Sequence, residues 1–537
     1  MRIALALLTL ACAAAAQQRT SLPRPPSEKP GEQAPPEESP PRPSVEKEQQ
    51  QPAPPPNEDE LAKLKWDMTE VAPVVTHHQL GKLHYTATAG RLPIKDQAGG
   101  IEAEMFFVAY TLDGAQPASR PLTFAFNGGP GSASIWLHMG ALGPRRVKME
   151  PEGWMPASPY RRVENTASPL DKTDLVLVDA IGTGFSRPAN MQKAKKFWGL
   201  KGDAAAFGEF IRLYLSRSQR WSSPLYLLGE SYGTTRAAEV SGYLTDRGIA
   251  FKGIMLLSMV LDFETLETAR TNDLAYALTL PTMAMIAQQQ HKLAADLPQD
   301  PAKLRQEATR FAMSDYLGML ARGDALSPQE RADAVAKIAR YTGLKPEIVD
   351  WANLRPDVGI FTHYLLADEH LQVGRLDGRF TGPHPKEFFE RDFYDPAMAA
   401  VSPPTTAVFN DYVRTELGYA NDLPYYTSAG QLSTQESFQF WRKWEWGNAA
   451  EGFPETSSSL RAAMQKNPHL RVLVMEGLYD LATPFAAAEY TMSHLDVGAA
   501  QRKNLSYITY ESGHMVYLRE SVLQKFHDDV AAFVEQK

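Results

Sequence analysis

Apolar residues in this chain gather in short, nearly unbroken runs rather than in a strict alternation. Such runs fall at Met105–Thr111, Leu122–Asn127, Asp174–Asp179, Leu225–Leu228, Gly253–Leu261 and Arg471–Glu476. Continuous apolar runs of this length suit strands buried on both faces of a mainly parallel sheet. Between them, Asp203–Arg217 and Thr235–Arg247 carry helical spacing. Strand, helix, strand alternation predicts an open α/β sheet. Residues 264–455 break the rhythm, being helix-rich and aromatic with few strand candidates. They predict a helical cap inserted between two sheet strands, which leaves a core in two parts, 61–263 and 456–537. No internal repeat is evident.

The N-terminus follows other rules. After Arg2, residues 3–16 are almost wholly apolar, and the chain turns polar at Gln17. That run is shorter than the ~20 residues a membrane-spanning helix needs. It predicts an export signal, 1–16, cleaved after the small residues Ala14 and Ala16. Lipid attachment at Cys12 is the alternative route. Either route makes the protein periplasmic or secreted, without an integral membrane segment once the signal is gone. Residues 17–60 hold 13 of the 40 prolines, mixed with Glu, Gln, Lys and Ser. So little apolar surface cannot offset the entropy of ordering, so this stretch predicts a disordered linker.

Composition narrows the choice. The 537 residues carry 63 acids against 55 bases, a net charge of −8, which argues against nucleic acid as a partner. The single cysteine, Cys12, rules out a disulfide framework and a cysteine-based metal or cluster site. No metal or cofactor is expected.

The chemistry sits at the predicted strand ends. Leu225–Leu228 runs into Gly229-Glu230-Ser231-Tyr232-Gly233, followed by a helical pattern. That is the strand–turn–helix context in which a GxSxG serine is exposed as a nucleophile. A serine needs a base, and the base an orienting acid. Asp480 follows the Arg471–Glu476 run, and His514 follows the strand-like Leu505–Tyr510. Both positions lie past a strand's carboxyl end, where doubly wound sheets place their sites. Upstream, Leu122–Phe126 feeds Asn127-Gly-Gly-Pro-Gly131, a loop rich in backbone N–H groups suited to a tetrahedral oxyanion. A phosphate loop is the weaker reading, because the Lys-Ser/Thr signature is missing.

These motifs together resemble the serine carboxypeptidase family: NGGPG at Asn127–Gly131, GESYG at Gly229–Gly233, Asp179–Ser186, and Ser-Gly-His ending at His514. The resemblance implies an α/β-hydrolase fold with a helical cap and a Ser231–His514–Asp480 triad. It implies an oxyanion hole from the N–H groups of Gly129 and Tyr232. It also implies that Asn127 and Glu230 hold the terminal carboxylate of a peptide substrate. Two carboxyls that close share a proton, which is a reason to expect an acidic pH optimum. The sequence departs from the family at Ala125 and Ala141, where tryptophan and glutamate are usual in the carboxylate-recognition network. It also has Ser132 in place of the loop cysteine, as a disulfide-free branch would. The reading is an exported serine carboxypeptidase-like peptidase. A proline-type aminopeptidase, an esterase or an acyltransferase of the same superfamily stands as the alternative, and a non-catalytic tethered binding module after those. Aromatic stretches such as Trp441–Trp446 are expected to serve packing.

Overall fold

A computed structural model describes residues 65–384, 394–432, 440–447 and 452–536. The expected signal, the linker and Cys12 lie outside the described residues. The sheet strands are β1 (Val74–Leu80), β2 (Leu83–Lys95), β3 (Ile101–Leu112), β4 (Leu122–Phe126), β5 (Asp174–Val178), β6 (Leu225–Glu230), β7 (Gly253–Leu257), β8 (Arg471–Gly477) and β9 (Leu505–Tyr510). Their spatial order is β1-β2-β3-β5-β4-β6-β7-β8-β9, with Arg187–Pro188 added against β3. From β5 to β9 every pairing is parallel, whereas β1, β2 and β3 form an antiparallel edge that closes on β5. That antiparallel edge was not expected beyond the β3 run. The strand expected over Gly253–Leu261 stops at Leu257, because Ser258 turns out of the sheet with φ +52°.

The central strands are apolar throughout because both faces are covered. All five residues of β4 and all five of β5 are buried. Phe124, Phe126 and Val176 point to one face, where they meet Phe207, Phe210 and Tyr214 of helix α1 (Leu200–Arg217) and Val240 of helix α2 (Tyr232–Thr245). Ala125, Leu177 and Leu228 point to the other, against Phe526, Val530 and Phe533 of the C-terminal helix. Each fully buried large apolar side chain contributes roughly 1.5–3 kcal/mol, so this double layer fixes the sheet.

The chain leaves the sheet after β7 and returns to it at β8, its parallel neighbour. The departing and returning segments meet at a bridge between Asp262 and Glu455. Between them lie helices Asp273–Gln289, Pro301–Phe311, Pro328–Thr342 and Pro396–Thr415, and a small hairpin of Leu371–Val373 with Thr381–Pro383. The first three helices share an apolar core of their own, which extends to Phe485 and Leu481 behind β8. No described helix is long and apolar enough to cross a membrane.

One buried ion pair ties the layers to the strand-end loops. Arg236 of α2 is fully buried and meets Asp203 of α1 at 2.7 Å, and its Nη1 donates to the carbonyl of Asn127 at 2.6 Å. Removing one partner of a buried pair strands the other charge, which costs about 3–5 kcal/mol. Asp203→Ala is therefore expected to lower the unfolding free energy measured in urea by that order, and adding Arg236→Met should restore part of it. A second substitution that restores nothing would show that the pair is not the source of the loss.

Candidate active site

The turn after β6 sets Ser231. Its backbone holds φ +61° and ψ −133°, a conformation side-chain-bearing residues avoid. Neighbours on both sides enforce it. Ser231 N–H donates to the carbonyl of Leu257 on β7, and its carbonyl accepts from Thr234 N–H. Glycine is required alongside: a Cβ on Gly229 would stand 2.1 Å from the carbonyl oxygen of Gly233. The serine thus leaves the sheet edge at the start of α2, as the sequence predicts.

Asp480 and His514 arrive from the ends of β8 and β9. His514 Nδ1 lies 2.6 Å from Asp480 Oδ2, and both residues are buried. Asp480 is itself oriented by the N–H groups of Ala482 and Thr483 at 2.8 and 3.1 Å and by the Thr483 hydroxyl at 2.7 Å. Burial works against a charged His514, but the neighbouring Asp480 charge and hydrogen bond outweigh it and hold the imidazole above its ordinary pKa. Ser231 and His514 line one cavity of about 200 Å³, together with Gly129. In the free site the Ser231 hydroxyl does not hydrogen-bond His514, a contact that commonly tightens only when substrate is bound. A larger cavity of about 590 Å³ opens at the opposite ends of the parallel strands, around Arg120 and Asp174, far from any such pairing.

The glycine-rich loop sits against the same helix start. A Cβ on Gly128 would lie 2.4 Å from the nitrogen of Tyr232, so loop and helix are in backbone contact. Among the described residues no acceptor is bonded to the N–H of Gly129 or of Tyr232. Two unbonded donors beside Ser231 are what a developing oxyanion needs. The Asp179–Ser186 segment anchors this loop. Asp179 accepts from Ser134 N–H at 2.7 Å, and Ser186 Oγ donates to the Asp179 carbonyl at 2.8 Å. The cap clasps it from above, with Ala133 N–H on the carbonyl of Thr427 and Ala429 N–H on that of Gly131.

Asn127 and Glu230 are brought together. Asn127 Nδ2 donates to Glu230 Oε1 at 2.7 Å, and the Tyr517 hydroxyl donates to Oε2 at 2.8 Å. Burial pushes the Glu230 carboxyl up to about 7, against the opposing pull of His514. Tyr517 and Thr483 are site residues that sequence reasoning missed. Their proximity in sequence to His514 and Asp480 is the one signal they offer. Trp136, Leu376 and Met398 add an apolar wall to the cavity. Trp444 packs edge-on against Tyr232, with ring centroids 5.3 Å apart, so that aromatic is a packing element.

The sheet order, the strand-to-helix turn at Ser231 and the clustering of Asp480 and His514 at adjacent strand ends define an α/β-hydrolase. Residues 81–337 match the family model described as serine carboxypeptidase. The match contains Asn127, Gly129 and Glu230–Tyr232, whereas Asp480 and His514 lie beyond it. No curated protein matches the chain by sequence. Similar solved structures include a proline iminopeptidase from Mycobacterium smegmatis, 14% identical with a TM-score of 0.35, covering 83% of this chain and 98% of that one. A highly thermostable carboxyl esterase from Bacillus coagulans is 10% identical with a TM-score of 0.35, at 83% and 97% coverage. An acetylester hydrolase from Corynebacterium glutamicum is 14% identical with a TM-score of 0.35, at 84% and 96% coverage. Likeness this distant adds nothing to what the sheet order and the family match establish.

The raised Glu230 pKa has a consequence for stability. Between the ordinary carboxyl value of 4.5 and about 7, native Glu230 keeps a proton that the unfolded chain has lost. Stability contributed by this group is therefore present at low pH and falls as pH rises through that window, by a few kcal/mol at most. Glu230→Gln should flatten this part of the curve of unfolding free energy against pH. Parallel curves for the two proteins would contradict it.

Proposed function

We propose that the protein is a serine carboxypeptidase that removes residues from the C-terminus of peptides through an acyl-enzyme on Ser231. The observation that carries this reading is the buried Asn127–Glu230–Tyr517 unit beside Ser231. It presents a carboxyl that burial pushes up to about 7, so that its proton is retained below that pH. A protonated Glu230 can donate to a substrate's terminal carboxylate, where an ionised one would repel it.

In this reading Ser231 Oγ attacks the scissile carbonyl, and its proton passes to His514 Nε2. Asp480 holds the Nδ1 proton and stabilises the imidazolium. The carbonyl oxygen becomes an oxyanion facing the N–H groups of Gly129 and Tyr232. On collapse the C–N bond breaks, and His514 returns the proton to the leaving amine. Water then attacks the ester by the same route and frees Ser231. The family match supports the hydrolase class, and the cavity at Ser231 and His514 supports the roles. The apolar run before Gln17 supports export, which N-terminal sequencing of protein recovered from the cell envelope or medium would test.

A fluorophosphonate probe should label the wild-type protein and not Ser231→Ala; labelling that survives the substitution would remove Ser231 from its role. Specificity is read from N-blocked peptides with a free or an amidated C-terminus. The free acids should be preferred, with kcat/KM falling as pH rises through about 7 and Glu230 ionises. Amidated peptides should lack that limb. Equal turnover of both forms at every pH would favour an esterase over an exopeptidase.

A further inference from the structure

The cap hairpin at Leu371–Pro383 places its loop between the acid and base turns. Leu481 N–H donates to the carbonyl of Arg375 at 3.0 Å, Gly378 N–H to that of Tyr479 at 2.9 Å, and His514 N–H to that of Leu376 at 2.7 Å. Asp395 fixes the same stretch from the other side, accepting the N–H groups of Arg375 and Leu376 at 3.0 and 2.9 Å. The loop carries two arginines with different fates. Arg379 is engaged internally, with Asp377 at 2.6 Å, Ser512 Oγ at 3.3 Å and Glu152 at 3.1 Å. Arg375 has its backbone pinned on both sides, yet among the described residues its guanidinium meets no hydrogen-bond or ion-pair partner.

Arg375 is exposed and lines the cavity of Ser231 and His514, where it is the one arginine or lysine among the described residues. It is near enough to His514 to oppose protonation of the imidazole. No hydrogen bond or ion pair joins it to Glu230, whose two oxygens accept from Asn127 and Tyr517. A guanidinium is always charged, and its planar fork fits a carboxylate through two parallel hydrogen bonds. Because its backbone is already fixed, only the side chain has to be ordered when such a partner arrives.

We infer that Arg375 is a specificity residue that receives a carboxylate of the substrate, either the terminal carboxylate or that of an Asp or Glu side chain beside the scissile bond. This rests on acyl transfer at Ser231 and adds to it a charged receptor separate from Glu230.

The test compares wild type, Arg375→Ala and Arg375→Lys on matched N-blocked dipeptide substrates, with rates normalised to sites titrated by a fluorophosphonate. One pair differs only in a free or an amidated C-terminus. The other is amidated and differs only in Glu or Gln. In Arg375→Ala the kcat/KM ratio of the charged to the neutral member should fall by about 10- to 100-fold in one pair, mainly through KM. Lysine should restore part of the ratio. The pair that responds identifies the carboxylate. Ratios unchanged in both pairs would overturn the inference, as would equal losses on charged and neutral members. The exopeptidase reading fails separately, if wild type turns over free acid and amide alike. An Arg375-dependent Glu/Gln ratio would then still support the role of Arg375.

Discussion

The site depends on one strained residue being held in place by its surroundings. Ser231 occupies positive φ because β7 takes its N–H, the first turn of α2 takes its carbonyl, and the Gly128 backbone presses on the next nitrogen. Such strain persists only where packing over-determines it. The double apolar layer supplies that packing. Arg236, one turn into α2, ties the helix to the carbonyl of Asn127, so the nucleophile turn and the glycine-rich loop move as a unit.

Charge is distributed with similar economy. Several carboxyls crowd the strand ends, and few of them have a cation to themselves. Asp480 has His514, and Asp377 has Arg379 along with the N–H of Gly513. Glu230 and Glu476 are pushed by burial toward the neutral form, and one oxygen of Glu476 has no hydrogen-bond partner. A shift of these acids toward the neutral form limits the repulsion that a cluster of charges would otherwise bring to a low-dielectric site. It also leaves the positive charge of Arg375 uncancelled within the cavity.

How legible this was in the sequence varied with the range of the interaction. The parallel strands are buried on both faces, so β4, β5 and β6 stand out as apolar runs. β1 and β2 do not, because an edge hairpin with one half-exposed face reads as Thr-Ala-Thr-Ala and similar mixtures. Ser231, Asp480 and His514 could be placed because a strand, a turn and a polar residue in succession form a local signal. Asn127 and Glu230 were found through resemblance alone. Tyr517 joins Glu230 across more than half the chain, and Arg375 reaches the site from a hairpin too short and glycine-rich to show a strand pattern. No periodicity encodes contacts of that kind.

The cap seats itself on the catalytic loops in part through peptide groups: Ala133 with Thr427, Ala429 with Gly131, His514 with Leu376, Leu481 with Arg375. Every residue except proline brings the same donor, so these bonds do not depend on which side chains the cap carries. Side chains such as Arg375, Leu376 and Met398 are then free to change without unseating the loops they hang over. The fold separates the task of holding the machinery together from the task of choosing a substrate. New preferences could arise in this scaffold by exchanging a few cap residues, with the apparatus that cleaves the bond left as it is.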